Sequence, residues 1–250
     1  MRERDLVGRE GLFVAEGEVV LRVLARSALA APVSLLIAEK RQAALAEIIE
    51  ALPEGVPVYV AGQAAMDAVV GFPIHRGILA LGRRVGALPA AELLAGLPSE
   101  ALVLVLCGIA NHDNMGGLFR NAAAFGADAV LIDADSCDPL YRKAIRVSVG
   151  AALTVPFARI AADEDPVALL AAEGFEPLAL SPRGATRLAD LRRPPRAAVL
   201  LGAEGPGLRE EVLARSRTIA IPMASGFDSL NVATTAGIVL HHLRFGAPGR

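Results

Sequence analysis

Apolar residues along this chain come mostly in short unbroken runs rather than in strict alternation. ALVLVLCG from Ala101, DAVLIDAD from Asp128, LTVPFARI from Leu153, FEPLALSP from Phe175, RAAVLLGAE from Arg196 and TIAIPM from Thr218 each read as a strand. Their near-continuous Val, Ile and Leu content fits strands buried on both faces of a parallel sheet. Helical spacing fills the gaps, over Asn114–Phe125, Tyr141–Val149, Pro166–Glu173, Leu208–Arg215 and Asn231–Leu243. In the first of these, Met115, Leu118, Phe119, Ala122 and Phe125 fall on one face and Arg120 is rotated away from it. In the last, Val232, Ala236, Val239, Leu240 and Leu243 form the stripe. Gly126, Gly150 and Gly174 follow three of the helices, where a left-handed stop is expected.

From Gly11 to about Arg84 the pattern also alternates. A charged turn at Glu16–Glu18 leads into an amphipathic helix carrying Val19, Leu21, Val23, Leu24 and Leu29. VSLLIAE reads as a strand, RQAALAEIIEAL as a helix stopped by Pro53, VPVYVAG as a strand, AAMDAVVGF as a short helix and HRGILALGRR as a strand. Such alternation predicts a mostly parallel sheet. The stretch 85–99, with two prolines and two glycines, reads as a short helical linker. The expected organisation is a smaller α/β domain over residues 1–84, a linker over 85–99 and a larger α/β domain over 100–250.

At 54% apolar residues and a mean hydropathy of +0.47, composition alone resembles that of a membrane protein. No apolar run approaches the roughly 18 residues a spanning helix needs, so no membrane association is expected. Met1–Glu10 carries charge throughout, unlike a signal peptide or an anchor. Cys107 and Cys137 have no paired spacing, and His75, His112, His241 and His242 lack metal spacing, so neither a disulfide framework nor a metal site is expected. These features together predict a cytoplasmic protein. The net charge of −2 announces no nucleic-acid binder, yet among the 25 basic residues only Lys40 and Lys143 are lysine. Arginine suits bidentate phosphate contacts, although genome composition produces the same bias. The local clusters are Arg142, Lys143 and Arg146 on one helix, and Arg183, Arg187, Arg192, Arg193 and Arg196; each reads either as an RNA contact or as a solvated or dimer-forming face.

Three loops at strand ends hold the candidate chemistry, where an open α/β sheet binds small ligands. The first, NHDNMGGLFR from Asn111, offers Asn111, Asp113 and Asn114 at a helix start and Arg120 further along it. The second, GAEGPGL from Gly202, is short and glycine-rich, with Glu204 as its ionisable group. The third carries Asp228, Ser229 and Asn231 ahead of the last helix. Each also serves as an ordinary cap or turn: Asp113 or Asn114 as an N-cap, Arg120 as an exposed helix residue, Ser229 and Asn231 as caps. No phosphate-binding P-loop, dinucleotide fingerprint or nucleophile elbow competes.

Together these loops resemble the three signature motifs of the SpoU (TrmH-type) branch of the SPOUT RNA methyltransferases. Asn114–Arg120 with the following Ala-Ala-Phe-Gly resembles the first motif, Leu201–Leu208 the second, and Ile221-Pro222-Met223 with Ser229-Leu230-Asn231-Val232 the third. IRVSVGAALTVP at 145–156 is similar to the family's Ser-x-Gly-Ala segment, and AEGE at 15–18 with HRGILAL at 75–81 resembles its ribosomal-protein-like substrate-binding domain. One departure is His112-Asp113 where many members carry Asp-Pro.

The resemblance implies a C-terminal SPOUT domain with a parallel sheet and a deep trefoil knot, S-adenosyl-L-methionine as cofactor and a homodimer whose site uses both subunits. The implied reaction is methyl transfer to a ribose 2′-hydroxyl of structured rRNA or tRNA. It assigns Arg120, Asn114, Glu204, Ser229 and Asn231 to the catalytic site, and Gly202, Ile221 and Leu230 to the cofactor. No metal is implied, because a sulfonium donor needs only in-line placement of the acceptor oxygen. Arginine stays protonated in proteins, so Arg120 fits better as a stabiliser of the developing oxyanion, with an RNA phosphate taking the proton, than as the base. The alternatives are a non-catalytic RNA-binding scaffold of the same fold and a SPOUT enzyme acting on a base nitrogen.

Overall fold

The first departure from the sequence reading lies at Leu12–Glu16, which forms a strand (β1) before the helix begins. The computed structural model describes Val7 and residues 11–70, 76–224 and 229–246; His75, Asp228 and, Val7 apart, the stretch Met1–Glu10 lie outside the described residues. At Gly17 the backbone takes a φ of 94°, open to glycine at little cost, and turns the chain from β1 into α1 (Glu18–Leu24). Then follow β2 (Ala30–Ala38), two 3-10 turns and α2 (Ala46–Glu50), β3 (Val58–Ala61), α3 (Gln63–Val70) and β4 (Ile78–Arg84). The helix expected over RQAALAEIIEAL is thus regular only in its second half.

These strands form a sheet in the order β1-β4-β2-β3. β4 runs antiparallel to both its neighbours, and only β2 and β3 are parallel. The mostly parallel sheet expected here is therefore corrected to a mixed one. The reason lies in β4: Ile78, Leu79 and Ala80 are all buried, which demands a central place covered on both faces. Alternation of strands and helices says nothing of the direction in which such a strand enters.

Beyond this sheet the chain continues through α4 (Ala90–Ala95), β5 (Ala101–Leu106), α5 (His112–Ala124), β6 (Ala129–Ile132), α6 (Arg142–Val147), β7 (Phe157–Arg159), α7 (Pro166–Ala172), β8 (Glu176–Leu180), β9 (Thr186–Arg187), β10 (Arg196–Leu201), α8 (Glu210–Ala214), β11 (Arg217–Ala220) and α9 (Val232–Phe245). The six predicted strands are all present, joined by the two-residue β9 at one edge. They make one sheet in the order β7-β6-β5-β10-β8-β11-β9, parallel at every pairing. Every residue of β5 and β6 is buried, as their unbroken apolar runs require. Gly126, Gly150 and Gly174 take φ values of 66°, 86° and 72° at the predicted stops.

Met115, Leu118, Phe119 and Ala122 of α5 have no exposure, and Phe119 meets Phe157 edge-on at a centroid distance of 5.6 Å. Phe119→Ala is expected to lower the unfolding free energy by about 3–5 kcal/mol, read as a drop in the urea midpoint.

The chain divides into two compact units, Met1–Gly86 with Asp138–Thr154, and Ala87–Cys137 with Val155–Arg250. Two of the arginines read as RNA contacts or as a solvated or dimer-forming face have a partner within the first. Arg142 Nη1 and Arg146 Nη1 lie 3.8 and 3.6 Å from Oε2 of Glu16, whose carboxylate is almost wholly buried. A buried charge without such partners is costly. Gly150 packs its Cα face on the Val23 side chain, and Ser27 Oγ donates to the Leu153 carbonyl.

In the second unit, Arg196 is likewise structural. Its Nε donates to the Glu173 carbonyl at 3.1 Å, Nη1 to Leu97 and Pro98 at 3.1 and 2.6 Å, and Nη2 to Leu94 at 2.9 Å, while the guanidinium sits 4.2 Å over the Phe175 ring. One cation thereby satisfies carbonyls at the C-terminal ends of both α4 and α7. Arg196→Ala should destabilise the chain by about 2–3 kcal/mol, with Arg196→Lys recovering only part, as measured by thermal unfolding. An unchanged melting temperature would count against this role.

Candidate functional site

In the larger sheet the chain leaves β5 toward β6 and β7 on one side, while β10 and β8 lie on the other. The register pairs Leu106 with Leu201, so both strands end at the same level. Strand order reverses between β5 and β10, and there the loops of parallel neighbours diverge and leave a crevice. The Asn111 and Gly202 loops flank this point.

The first loop is held from below. Asp133, just past β6, accepts from Gly108 N at 2.9 Å, and Ser136 Oγ accepts from Ile109 N at 2.8 Å while donating to Asp133 at 2.6 Å. Above it, Asn111 Oδ1 accepts from the amides of Asp113 and Asn114 at 2.7 and 3.3 Å, so the N-cap of α5 is Asn111 rather than Asp113 or Asn114. With capping done by Asn111, the side chain of Asn114 is free for other partners. It is 7% exposed.

Three predicted residues meet at this side chain. Asn114 Nδ2 donates to Glu204 Oε1 at 2.5 Å, and Asn231 Nδ2 donates to Asn114 Oδ1 at 2.9 Å. Asn231 Oδ1 in turn accepts from Ala233 N and Thr234 N at 2.9 and 3.2 Å, capping α9. All three loops are thereby tied by one amide. Helix packing supports the same junction: a Cβ at Gly117 would lie 2.8 Å from that of Ala233, and Asn121 Nδ2 donates to the Ala233 carbonyl at 2.6 Å.

The second loop folds back on itself. Gly207 N donates to the Ala203 carbonyl at 3.0 Å, and a Cβ at Gly202 would lie 2.3 Å from both the Gly207 carbonyl carbon and Leu208 N. Only glycine allows this close passage of two backbones. Beside the loop opens a cavity of about 620 Å³, lined by Gly202, Glu204, Ile221, Ser229 and Leu230 of the predicted set. Its further lining includes Leu201, Leu213, Ile219 and Val232, with Ser181, Arg183, Glu210 and Thr235 as polar groups. Apolar walls, exposed main chain and a few polar side chains in this volume suit a nucleoside-sized ligand.

Arg120 stands apart. It is exposed on α5 and makes no hydrogen bond or ion pair among the described residues. Cys107, at the foot of the first loop, is no nucleophile: burial first, then the nearby Asp133, push its thiol up to about 12, so it stays protonated. Cys107 forms no disulfide. Sequence reasoning missed Asp133, Ser136 and the Ser181–Gly184 turn. The Ser-Pro dipeptide at 181–182 is a turn signal that could have found the last.

The family model for the SpoU rRNA Methylase family matches residues 101–241. An uncharacterized tRNA/rRNA methyltransferase of Mycobacterium bovis is 40% identical over 245 residues, covering 96% of this chain and 83% of that protein. The 23S rRNA (guanosine-2'-O-)-methyltransferase RlmB of Salmonella typhi is 31% identical over 208 residues, or 81% of this chain and 84% of that one. Among solved structures, that of an AdoMet-bound rRNA methyltransferase from Sinorhizobium meliloti superposes with a TM-score of 0.80 at 21% identity, covering 98% of this chain and 92% of the other.

Proposed function

The chain belongs to the SpoU rRNA Methylase family, and on that premise we propose that it transfers a methyl group from S-adenosylmethionine to a ribose 2′-hydroxyl of structured rRNA or tRNA. The observation that carries the reading is the Asn114–Glu204–Asn231 chain of hydrogen bonds standing beside the 620 Å³ cavity. The named specificity of the RlmB relative supports ribose over base.

The cavity suits the cofactor. Apolar side chains from β10, β11 and α8 offer a wall for the adenine, and the Gly202–Leu208 loop presents main-chain polar atoms. When bound, the cofactor supplies an electrophilic methyl on a sulfonium. The protein's part is then placement and charge. Glu204 and Asn231 fix both ends of the Asn114 amide, holding the three loops rigid around the acceptor. The Arg120 guanidinium stabilises the oxygen as negative charge develops on it, and the proton leaves to a phosphate oxygen of the RNA.

Two further features belong to this reading. A trefoil knot in the larger unit is supported by the family likeness alone. A homodimer is supported by Arg120, which no residue of its own chain holds among those described. Two copies would let the arginine of one serve the cavity of the other. An N-terminal RNA-binding domain over residues 1–84 completes it, while the stretch 85–99 read as a linker carries α4, whose Ala90, Leu93 and Leu94 are buried in the larger unit's core.

The test is transfer of tritium from labelled S-adenosylmethionine into total RNA of a strain lacking this protein. A ribose 2′-O-methyl group blocks alkaline cleavage at its own position, so label should appear in an alkali-resistant dinucleotide. Label recovered as a methylated base would overturn the reading, as would no transfer.

A further inference from the structure

Three ionisable side chains line the cavity among the described residues: Glu204, Glu210 and Arg183. Glu204 is engaged by Asn114. Arg183 is the single cation of the lining, and its guanidinium makes no hydrogen bond or ion pair among the described residues. Its backbone, by contrast, is fixed on every side. Ser181-Pro182-Arg183-Gly184 is a β-turn closed by Gly184 N donating to the Ser181 carbonyl at 3.0 Å. Pro182 takes the second place, which proline's fixed φ favours. Arg183 N donates to Ser181 Oγ at 3.3 Å. The turn is pinned to β11 by Ser181 N donating to the Ile219 carbonyl and Ala185 N to Thr218 Oγ1, each at 3.0 Å. Gly184 closes the arrangement, since any side chain there would overlap the Ile219–Ala220 backbone.

A rigid turn therefore presents a free guanidinium at a cavity whose other ionisable lining is acidic. An adenosyl ligand brings no anion of its own except at its amino-acid end, which carries a carboxylate and an ammonium. We infer that Arg183 recognises the carboxylate of the cofactor's methionine moiety, with Glu210 supplying the opposite charge for the ammonium. The inference rests on the proposed use of S-adenosylmethionine. A guanidinium matches a carboxylate in bidentate geometry where a lysine cannot.

The test compares S-adenosylmethionine with its decarboxylated analogue, which keeps the adenosine, the sulfonium and the ammonium and lacks only the carboxylate. Both are titrated calorimetrically into the purified full chain and into Arg183→Ala. The unaltered protein should prefer the carboxylated compound by about tenfold, and Arg183→Ala should erase most of that preference while leaving affinity for the decarboxylated compound within about twofold. Arg183→Lys should restore the preference only in part. Equal weakening of both compounds would mean that Arg183 merely supports the loop, and would overturn the inference. So would an undiminished preference, including one accompanied by a loss of RNA affinity. If the unaltered protein bound neither compound, the failure would lie with the proposed cofactor instead.

Discussion

Arg120→Ala lowers the rate of methyl transfer by about 10²–10³-fold, the range found when one oxyanion-stabilising donor is removed. The cofactor still binds the variant with nearly unchanged affinity, because Arg120 does not line the cavity. Stability also holds within about 0.5 kcal/mol, as expected for an exposed side chain without partners among the described residues. Arg120→Lys should not rescue, since a point charge cannot replace the planar fork. The geometry adds a second expectation. Arg120 lies six residues beyond Asn114, about 120° around the helix, so it points away from the amide that joins the three loops. If another copy of the chain completes the site, mixing Arg120→Ala with a variant defective in the cofactor loop should return part of the activity. A near-normal rate for purified Arg120→Ala would dismiss the arginine from the chemistry.

Gly202→Val provides that second variant and the other large effect. Its Cβ would sit 2.3 Å from the backbone of Gly207 and Leu208, so the loop has to open. The strand below is anchored by its pairing with β5, and Cys107 N donates to the Leu201 carbonyl at 2.9 Å. The movement therefore falls on Ala203–Leu208, carrying Glu204 away from Asn114. A displacement near 1 Å at such a site can cost about 10²-fold, here in both cofactor affinity and turnover. Calorimetry and initial rates would read the two losses, and circular dichroism would show the sheet retained. Cofactor affinity close to that of the unaltered protein would refute the role given to this passage.

How much of this was legible in the sequence depends on which forces set each element. The strands of the large sheet were plain because burial on both faces leaves an apolar signature that turn residues interrupt. α5 and α9 were plain because their stripes pack on that sheet. β1 was not: Leu12–Glu16 ends in charge and abuts glycine, and only its pairing with β4 makes it a strand. The direction of β4 was invisible for the same reason, being a choice among neighbours. Asn114, Glu204 and Asn231 could be nominated from loop chemistry and family likeness, but their joining depends on Asn111 taking the cap, a local competition among four polar residues that spacing cannot decide. The arginine clusters were the least legible. Arg142, Arg146 and Arg196 looked free in the chain and are bound by Glu16 and by helix-end carbonyls.

The discontinuous first unit bears on how the polypeptide acquires its shape during synthesis. Glu16 is buried, and Arg142 and Arg146 place guanidinium nitrogens 3.8 and 3.6 Å from its Oε2. The nascent chain therefore lacks both of these partners while more than a hundred further residues are added. Proteolytic or genetic severing at Gly86 would make the deficit permanent. An isolated N-terminal fragment should be marginal on its own and regain order when a peptide spanning Asp138–Thr154 is supplied in trans.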